Sequence, residues 1–245
     1  APHSLRAASA AEVKAIAAMV PDGPIHIHAA EQTKEVEDCE AATGLRPIEF
    51  LIERIGLDTR WCLIHATHLT AGETRKLAAS GAVAGLCPVT ESNLGDGIFP
   101  TFDYLNGGGR FGVGTDSNIL ISAADELKTI EYIQRLKYRA RNVLAPKGGS
   151  TGRRLFDGAL NGGAQALGLG GVGLAPGARA DLVTLQADHP SLALAQDDAA
   201  LDAWIFAGAR IDRVWRAGRE VVTGGVHKDR PALEARYRKA LSPLA

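Results

Sequence analysis

The sequence is poor in the residues that mark disulfide scaffolds and aromatic cores. Its 245 residues include three cysteines, one methionine and 5% aromatic residues. The cysteines, Cys39, Cys62 and Cys87, form no CxxC pair, which argues against a disulfide or zinc-knuckle framework and is typical of reduced, mostly buried thiols in a cytosolic protein. With so few aromatic residues, we expect a core built from Ala, Leu, Val and Ile.

The sequence also has no excess of charge of either sign and no long apolar run. Its 27 Lys and Arg balance 28 Asp and Glu, for a formal net charge of −1, which argues against nucleic acid or an anionic membrane as the main partner. No apolar run is long enough to span a bilayer, and the first residues, APHSLRA, lack a signal pattern. With 46% hydrophobic and 22% charged residues, the composition is typical of a soluble globular protein, which we expect to be cytoplasmic.

Short apolar segments alternate with helical segments through the first part of the chain. Capping boxes at Ser9–Glu12 and Thr70–Glu73 predict helix starts, as does Ser122. The predicted strands are residues 25–29, 61–65, 82–86 and 110–114. Such alternation is typical of parallel strands joined by crossover helices, and four βα units make the C-terminal half of a (β/α)8 TIM-type barrel.

Two finer expectations concern segments of this region. Residues 87–100, CPVTESNLGDGIFP, are rich in turn-forming residues and predict a long loop. The helix that follows Ser122 is expected to carry aliphatic residues on one face. The aliphatic residues expected to share that face are Leu127, Ile130, Ile133 and Leu136.

The pattern changes in the last part of the chain. Residues 171–188 and 214–225 predict strands and a hairpin with Ala217-Gly218 at its turn, which are pieces of a small β domain. We therefore divide the chain into three segments. They are residues 1–168, the C-terminal half of a barrel; residues 169–225, part of a β-sandwich; and residues 226–245, which contain a C-terminal helix.

Polar residues stand at the carboxyl ends of the predicted strands, where (β/α) barrels place their chemistry. His28 and Glu31 follow one another at the end of the first strand, His65 ends the second and Asp116 follows the fourth. His and Asp are ligand types for a catalytic zinc, and Glu31 suits a proton shuttle. Each alone has a plainer interpretation: a buried structural His, a solvated Glu, or a turn Asp in TDSN. Together they favour a metal-dependent active site.

A second pair, His3 and Arg6, lies just before the first predicted helix. An Arg at a barrel rim can bind a carboxylate through two parallel hydrogen bonds. A solvated Arg on a first helical turn is the equal alternative. His26 shares a strand face with His28 but lies deeper, so we expect a packed, hydrogen-bonded His.

The sequence resembles the amidohydrolase superfamily over nearly its whole length. The matching segments are HIHAAEQ, LIHATH, GLCPVTESNLGDGIFP, GVGTDSN and LAPGARADLVTL. PHSLRA and TESNLGDGIFP are most similar to the formimidoylglutamate deiminases, which hydrolyse N-formimidoyl-L-glutamate to N-formyl-L-glutamate and ammonia in histidine degradation. The resemblance implies a (β/α)8 barrel, a β-sandwich built from both chain ends, and a homodimer. It also implies one zinc per subunit, with other divalent metals as alternatives.

By that resemblance, the catalytic roles are distributed over four residues. His28 and Asp116 are metal ligands, and Asp116 also accepts a proton from the attacking water. Glu31 shuttles protons, and His65 lies beside that water.

The same resemblance assigns the glutamate part of the substrate, a dicarboxylate, to His3 and Arg6. One departure is large, because nothing in this sequence supplies the H-x-H pair of zinc ligands on the family's first strand. We therefore expect the chain to need an N-terminal half that carries this pair. The alternatives are another amidohydrolase deaminase, acting on a nucleobase, nucleoside or triazine, and a non-catalytic half-barrel that serves as a binding or assembly module.

Overall fold

A parallel sheet is the centre of the first of two units, Ala1–Val172, in the computed structural model, which describes residues 1–244. Each strand is a short apolar run bounded by turn residues, and the strands lie side by side in chain order. They are β1 (Ile25–Ala29), β2 (Trp61–His65), β3 (Val83–Leu86) and β4 (Arg110–Val113). The predicted α/β class with parallel strands is confirmed.

Eight α-helices connect or flank these strands within residues 1–172. They are α1 (Ala10–Met19), α2 (Thr33–Thr43), α3 (Pro47–Phe50), which continues into a π-helical turn (Leu51–Ile55), α4 (Ala71–Ser80), α5 (Pro88–Leu94), α6 (Thr101–Asn106), α7 (Ala123–Tyr138) and α8 (Thr151–Ala166). The capping boxes at the starts of α1 and α4 are both formed, as the sequence predicts.

The expectation of a long loop over residues 87–100 is wrong, because α5 occupies its first half. Pro88 and Gly95 suggest a loop, but both suit the ends of a short helix. Pro88 stands at the first helical position, where a missing N–H costs nothing. Gly95 adopts a φ of 74° and ends the helix, donating its N–H to the carbonyl of Glu91.

The expectation of one shared aliphatic face on α7 is also wrong in part. Leu127 and Ile130 are buried, whereas Leu136 is 79% exposed. A strict spacing of three residues drifts by roughly 60° per step on a helix of 3.6 residues per turn. Over three such steps, Leu136 reaches the side opposite Leu127 and faces solvent.

The helix α8 packs against β4 at a close backbone distance, and this explains why it tolerates two adjacent glycines. A Cβ atom on Gly162 would lie 1.9 Å from the carbonyl oxygen of Phe111. Glycine costs roughly 1 kcal/mol in a helix interior, but here only glycine leaves room for the neighbouring strand. The helix α8 therefore forms with Gly162 and Gly163 in its interior.

The second unit, from Gly173 onward, contains an antiparallel sheet whose strands are neighbours in chain order. They are β5 (Leu182–Leu185), β6 (Ile211–Arg216), β7 (Arg219–Thr223) and β8 (Val226–His227). The predicted hairpin turn is confirmed, since Ala217 and Gly218 both have positive φ, as tight hairpin turns require. The helices of this unit are α9 (Ala199–Phe206), which the sequence pattern did not indicate, and α10 (Arg230–Leu241). No helix within residues 1–244 has the length and apolarity needed to cross a membrane.

Candidate active site

The predicted site residues lie at the carboxyl edge of the parallel sheet. His28 is the last residue but one of β1, His65 ends β2, and Asp116 follows β4. Register pairing places His28 opposite Ile64 and Ala29 opposite His65, so the two histidines are on neighbouring strands and one residue apart in register. Parallel strands end at one edge, which is why residues far apart in sequence meet here.

The backbone at these strand ends adopts conformations that are unusual for residues other than glycine. The residues with positive φ at this edge are Ala30, His65, Ala66 and Asp116. Such conformations cost about 1–3 kcal/mol each and persist only where surrounding contacts hold them. Those contacts include hydrogen bonds from the Ala66 N–H to the Ala29 carbonyl and from the His68 N–H to the Ala30 carbonyl. The result is a rigid edge that fixes the direction of the site side chains.

His65 is the centre of the cluster and is 1% exposed. Its Nε2 atom lies 3.8 Å from Glu31 Oε1 and 3.9 Å from Asp116 Oδ2. Its ring centroid is 5.6 Å from that of His28. The structure therefore brings His28, Glu31, His65 and Asp116 together, as expected from the sequence.

The other ring nitrogen of His65 has a partner that the sequence reasoning missed. Nδ1 lies 3.2 Å from Oε1 of Glu91, a buried residue of α5. Burial lowers the pKa of His65, but the hydrogen bond and charge of Glu91, with Glu31 and Asp116, outweigh it and raise that pKa above its ordinary value. Glu91 lies in the segment TESNLGDGIFP, which was identified from the sequence as a family motif. The motif alone does not indicate that Glu91 contacts His65.

Glu91 is itself held in place by the backbone. Its Oε1 atom also accepts the N–H of Cys87 at 2.9 Å, and ligand-type atoms of His65, Cys87 and Glu91 all lie within 4.8 Å of one another. Burial raises the pKa of the Cys87 thiol, and the charge of Glu91 adds to that effect. Hydrogen bonds therefore hold the Glu91 carboxylate beside the neutral thiol of Cys87, and Glu91 in turn orients the imidazole of His65.

His28 is oriented by the segment before α1. Ser4 forms a parallel bridge with His28, and the carbonyl of His3 accepts hydrogen bonds from the backbone N–H of His28 at 2.9 Å and from its Nδ1 at 2.8 Å. With Nδ1–H donated to a carbonyl, Nε2 carries the lone pair, which is the usual arrangement of a metal-ligating His. Together with the carboxylate of Asp116, this donor set fits zinc.

Arg6 contacts the site through Glu31. Its Nη2 atom lies 2.6 Å from Glu31 Oε2, and its Nε lies 3.9 Å from Glu35 Oε2 and 3.4 Å from the hydroxyl of Ser4. The side chain of Arg6 is 36% exposed and that of Glu31 13%. Two residues with separate expected roles, substrate binding and proton transfer, are therefore joined in an ion pair.

Glu35 is a second buried carboxylate that the sequence reasoning missed. Its Oε1 accepts the N–H of Ala30 and its Oε2 the N–H of Glu31, both at 3.0 Å. It lies in the first turn of α2 and reaches back over the helix start, as an acidic residue near a helix N-terminus can. These bonds fix the turn that carries Glu31.

The two remaining histidines of the sequence prediction differ in setting. His3 is exposed and stacks on the ring of His28, with centroids 4.8 Å apart, while its Nδ1 lies 2.9 Å from the hydroxyl of Ser4. His26 Nε2 lies 2.7 Å from the carbonyl of Ala166. The expectation that His26 is a packed, hydrogen-bonded residue is confirmed.

The fold and site together define an α/β protein whose candidate metal-dependent site lies at the carboxyl ends of its parallel strands. The sequence matches the amidohydrolase family over residues 1–221, and the chain belongs to that family.

Three individual proteins show what this chain is similar to within and beyond that family match. The chain is 51% identical over 229 residues to formimidoylglutamate deiminase of Pseudomonas aeruginosa, which covers 92% of this chain and 51% of that protein. It is similar to the crystal structure of an amidohydrolase from Brucella melitensis, with a TM-score of 0.96 and 52% identity over 99% of this chain and 54% of that one. An adenosine deaminase from Xanthomonas campestris, crystallised with bound zinc, shares the fold, with a TM-score of 0.86 and 24% identity over 97% of this chain and 55% of that one. The chain spans about half the length of these relatives.

Proposed function

We propose that this chain supplies the C-terminal half of a zinc-dependent deiminase that hydrolyses N-formimidoyl-L-glutamate. The reaction adds water to the formimidoyl carbon and releases ammonia, leaving N-formyl-L-glutamate. The observation that carries the proposal is the convergence of His28, Glu31, His65 and Asp116 at one sheet edge, with Arg6 beside them. The identity of 51% to a formimidoylglutamate deiminase supports the choice of substrate over a nucleobase, a nucleoside or a triazine.

The roles proposed for the chain's own residues are those that the family resemblance implies, and their proximity supports them. His28 Nε2 and Asp116 would hold zinc, which when bound supplies a Lewis acid that activates water near neutral pH. Asp116 takes a proton from the attacking water, and His65, backed by Glu91, stabilises the charge that develops on the reacting group. Glu31 then carries a proton to the leaving nitrogen, so that it departs as ammonia.

The substrate's glutamate part carries two carboxylates, which need fixed positive or hydrogen-bonding partners when buried. We assign these contacts to Arg6 and His3. Arg6 remains charged at any working pH and can donate two parallel hydrogen bonds to one carboxylate.

The same proposal includes the division of the chain into segments and the source of the remaining zinc ligands. Residues 1–168 would form half of a (β/α)8 barrel and residues 169–225 part of a β-sandwich, while residues 226–245 contain β8, which adds to the same sheet, and the C-terminal helix α10. Because His28 and Asp116 are two of the expected protein ligands, two more would come from an H-x-H pair outside these residues. The match covers 51% of the length of the P. aeruginosa deiminase, which supports the proposal that the H-x-H pair lies in a further segment.

The cellular setting is also proposed. We place the protein in the cytoplasm as a homodimer that acts in histidine degradation, with a small-molecule dicarboxylate as its partner and neither nucleic acid nor membrane. The near-zero net charge supports the exclusion of polyanionic partners.

The proposal is tested with the complete protein, containing these residues and the segment that carries the H-x-H pair. We expect ammonia and N-formyl-L-glutamate in equal amounts from N-formimidoyl-L-glutamate, and about one zinc per subunit by elemental analysis. Adenosine, guanine and atrazine serve as comparison substrates. Faster turnover of any of these, or no ammonia from N-formimidoyl-L-glutamate with zinc bound, would reject the assignment.

A further inference from the structure

The guanidinium of Arg6 lies between two carboxylates that differ in their freedom. Both oxygens of Glu35 are hydrogen-bonded to backbone N–H groups, and its side chain is 2% exposed. Glu31 Oε2, by contrast, takes its 2.6 Å hydrogen bond from Arg6 itself. Glu35 is therefore a fixed partner of Arg6, whereas Glu31 is a partner that another anion can replace.

The anchoring of Arg6 allows such an exchange without loss of its position. Its backbone N–H and its Nε both approach the hydroxyl of Ser4, at 3.2 Å and 3.4 Å, and Nε faces Glu35 at 3.9 Å. The bond to Glu31 comes from Nη2, at the outer end of a side chain that is 36% exposed. An incoming carboxylate can thus reach Nη2 while the inner part of the guanidinium keeps its contacts.

We propose that Arg6 holds Glu31 out of action until a substrate carboxylate takes its place. The proposal rests on the proposed function, because it concerns the proton-transfer residue of the same site. While Oε2 is bonded to Arg6, Glu31 presents only Oε1 to the site, 3.8 Å from His65 Nε2, and its carboxylate cannot turn toward the reacting nitrogen until that bond breaks. A carboxylate of the substrate bonds to Nη2, Glu31 is released, and the proton-transfer group becomes available only when the correct substrate is bound.

This exchange makes a prediction that simple substrate binding by Arg6 does not. If Arg6 only binds the substrate, its loss harms substrates with carboxylates and leaves others unchanged. If Arg6 also restrains Glu31, its loss should accelerate the hydrolysis of a substrate that has no carboxylate. The two roles of Arg6 are therefore distinguished by the rate on a substrate without a carboxylate, which stays unchanged in the first case and rises in the second.

The experiment divides the substrate into two pieces. The complete zinc-loaded protein is assayed for ammonia release from formamidine, HN=CH–NH₂, which with water gives formamide and ammonia. Glutarate, the five-carbon dicarboxylate, is then added in trans, with the uncharged diamide glutaramide as its control. The same assays are made with Arg6→Met and Arg6→Gln. The matched control is Lys34→Met, which removes one positive charge from an exposed ion pair on α2.

We expect glutarate, but not glutaramide, to accelerate formamidine hydrolysis by the parent protein roughly tenfold, the rate equivalent of one charged hydrogen bond. Arg6→Met and Arg6→Gln should hydrolyse formamidine faster than the parent without glutarate, and glutarate should not accelerate them further. Both should lose roughly ten- to a few hundred-fold in kcat/KM for N-formimidoyl-L-glutamate, by the same arithmetic. Lys34→Met should behave as the parent in every assay.

The outcomes separate this inference from the proposed function. If the parent hydrolyses N-formimidoyl-L-glutamate, but glutarate has no effect on formamidine or the Arg6 variants slow both substrates equally, the gating idea is overturned and the function stands. If glutarate acts as expected but N-formimidoyl-L-glutamate is not hydrolysed, the substrate assignment fails and the gating by a dicarboxylate stands. A crystal structure with glutarate gives a readout independent of activity, and it should show Arg6 Nη2 bonded to glutarate instead of Glu31.

Discussion

The acidic residues around His65 have different chemical settings, and these settings decide which of them can react. Glu35 and Glu91 accept hydrogen bonds from backbone N–H groups and are buried. Asp116 has a side chain that is 31% exposed, and Glu31 is bonded to Arg6 near the surface. Carboxylates that hold the backbone cannot also move protons, so Glu31 and Asp116 are the ones available for chemistry.

The first prediction concerns Glu31. If it carries a proton to the leaving nitrogen, Glu31→Gln should lower kcat by about 10²-fold or more, the usual scale of general acid–base catalysis. Zinc content and KM should change little, because Glu31 is not a proposed ligand. Steady-state ammonia release by the complete protein measures this, with Glu37→Gln on the exposed side of α2 as control. A kcat close to that of the parent would remove Glu31 from the mechanism.

The second prediction concerns Glu91 as a positioning residue. Glu91→Gln keeps an oxygen for the N–H groups of Cys87 and His65 but loses the negative charge beside the imidazole. A charge-assisted hydrogen bond is roughly twice as strong as a neutral one, so we expect kcat to fall about tenfold. KM should change by less than about threefold, because Glu91 is buried behind His65. Unchanged kcat with normal thermal stability would show that Glu91 serves packing alone.

Sequence alone could predict which residues reach the site but not how they are paired. His28, His65 and Asp116 stand at strand ends, and strand polarity determines that such residues share an edge. Their partners come from elsewhere in the chain, since Glu91 lies 26 residues after His65 and Arg6 lies 25 residues before Glu31. Contacts of that kind depend on how helices and loops pack, which no local pattern encodes.

At the scale of elements, the junction of α5 and α7 shows how a helix forms where the sequence resembled a loop. Pro88 begins α5 without a free N–H, and the next N–H, from Val89, is taken by Glu126 Oε2 on α7 at 2.9 Å. Local propensity therefore supplied only part of the helix signal. The rest came from a side-chain oxygen 37 residues away, which accepts one of the N–H groups that have no partner within the helix at its start.

The third prediction follows from the burial of Glu126. Burial raises its pKa from 4.5 to about 7, the charge of Glu91 contributes, and the Val89 N–H acts in the opposite direction. Because the folded-state pKa is the higher one, this group's contribution to stability is complete below pH 4.5 and is lost as pH rises through about 7. Glu126→Gln imitates the protonated form at every pH. Its urea midpoint, relative to the parent, should therefore rise between pH 5 and pH 8.

The matched control for this prediction is Glu37→Gln, an exposed carboxylate on α2. The urea midpoint of Glu37→Gln, relative to that of the parent, should not rise between pH 5 and pH 8. An equal difference between Glu126→Gln and the parent at both pH values would mean that Glu126 has the same proton affinity in the folded and unfolded protein.

At the scale of the whole molecule, the first sheet has open edges. Within residues 1–244, β4 pairs with β3 on one side, and β1 pairs with β2 and, through a single bridge at Ser4, with the segment before α1. Parallel sheets are found covered on both faces and closed or protected at their edges. The exposed aliphatic side chains of Ile119 and Ile121, 97% and 73% accessible, lie in the segment just after Asp116. Such surfaces support the proposal that further polypeptide completes the sheet.

The last prediction concerns that completion. Residues 1–245 expressed alone should aggregate or bind zinc weakly, because β4 is unprotected and only two proposed ligands, His28 and Asp116, are present. Co-expression with the N-terminal half of the P. aeruginosa deiminase, a protein 51% identical to this chain over 229 residues, should give a soluble complex that binds zinc and releases ammonia from N-formimidoyl-L-glutamate. The same complex with His28→Ala should remain soluble but bind little zinc. Tight, stoichiometric zinc in a soluble monomer of residues 1–245, or its retention in the His28→Ala complex, would contradict the shared ligand set, since a site divided between two segments needs both.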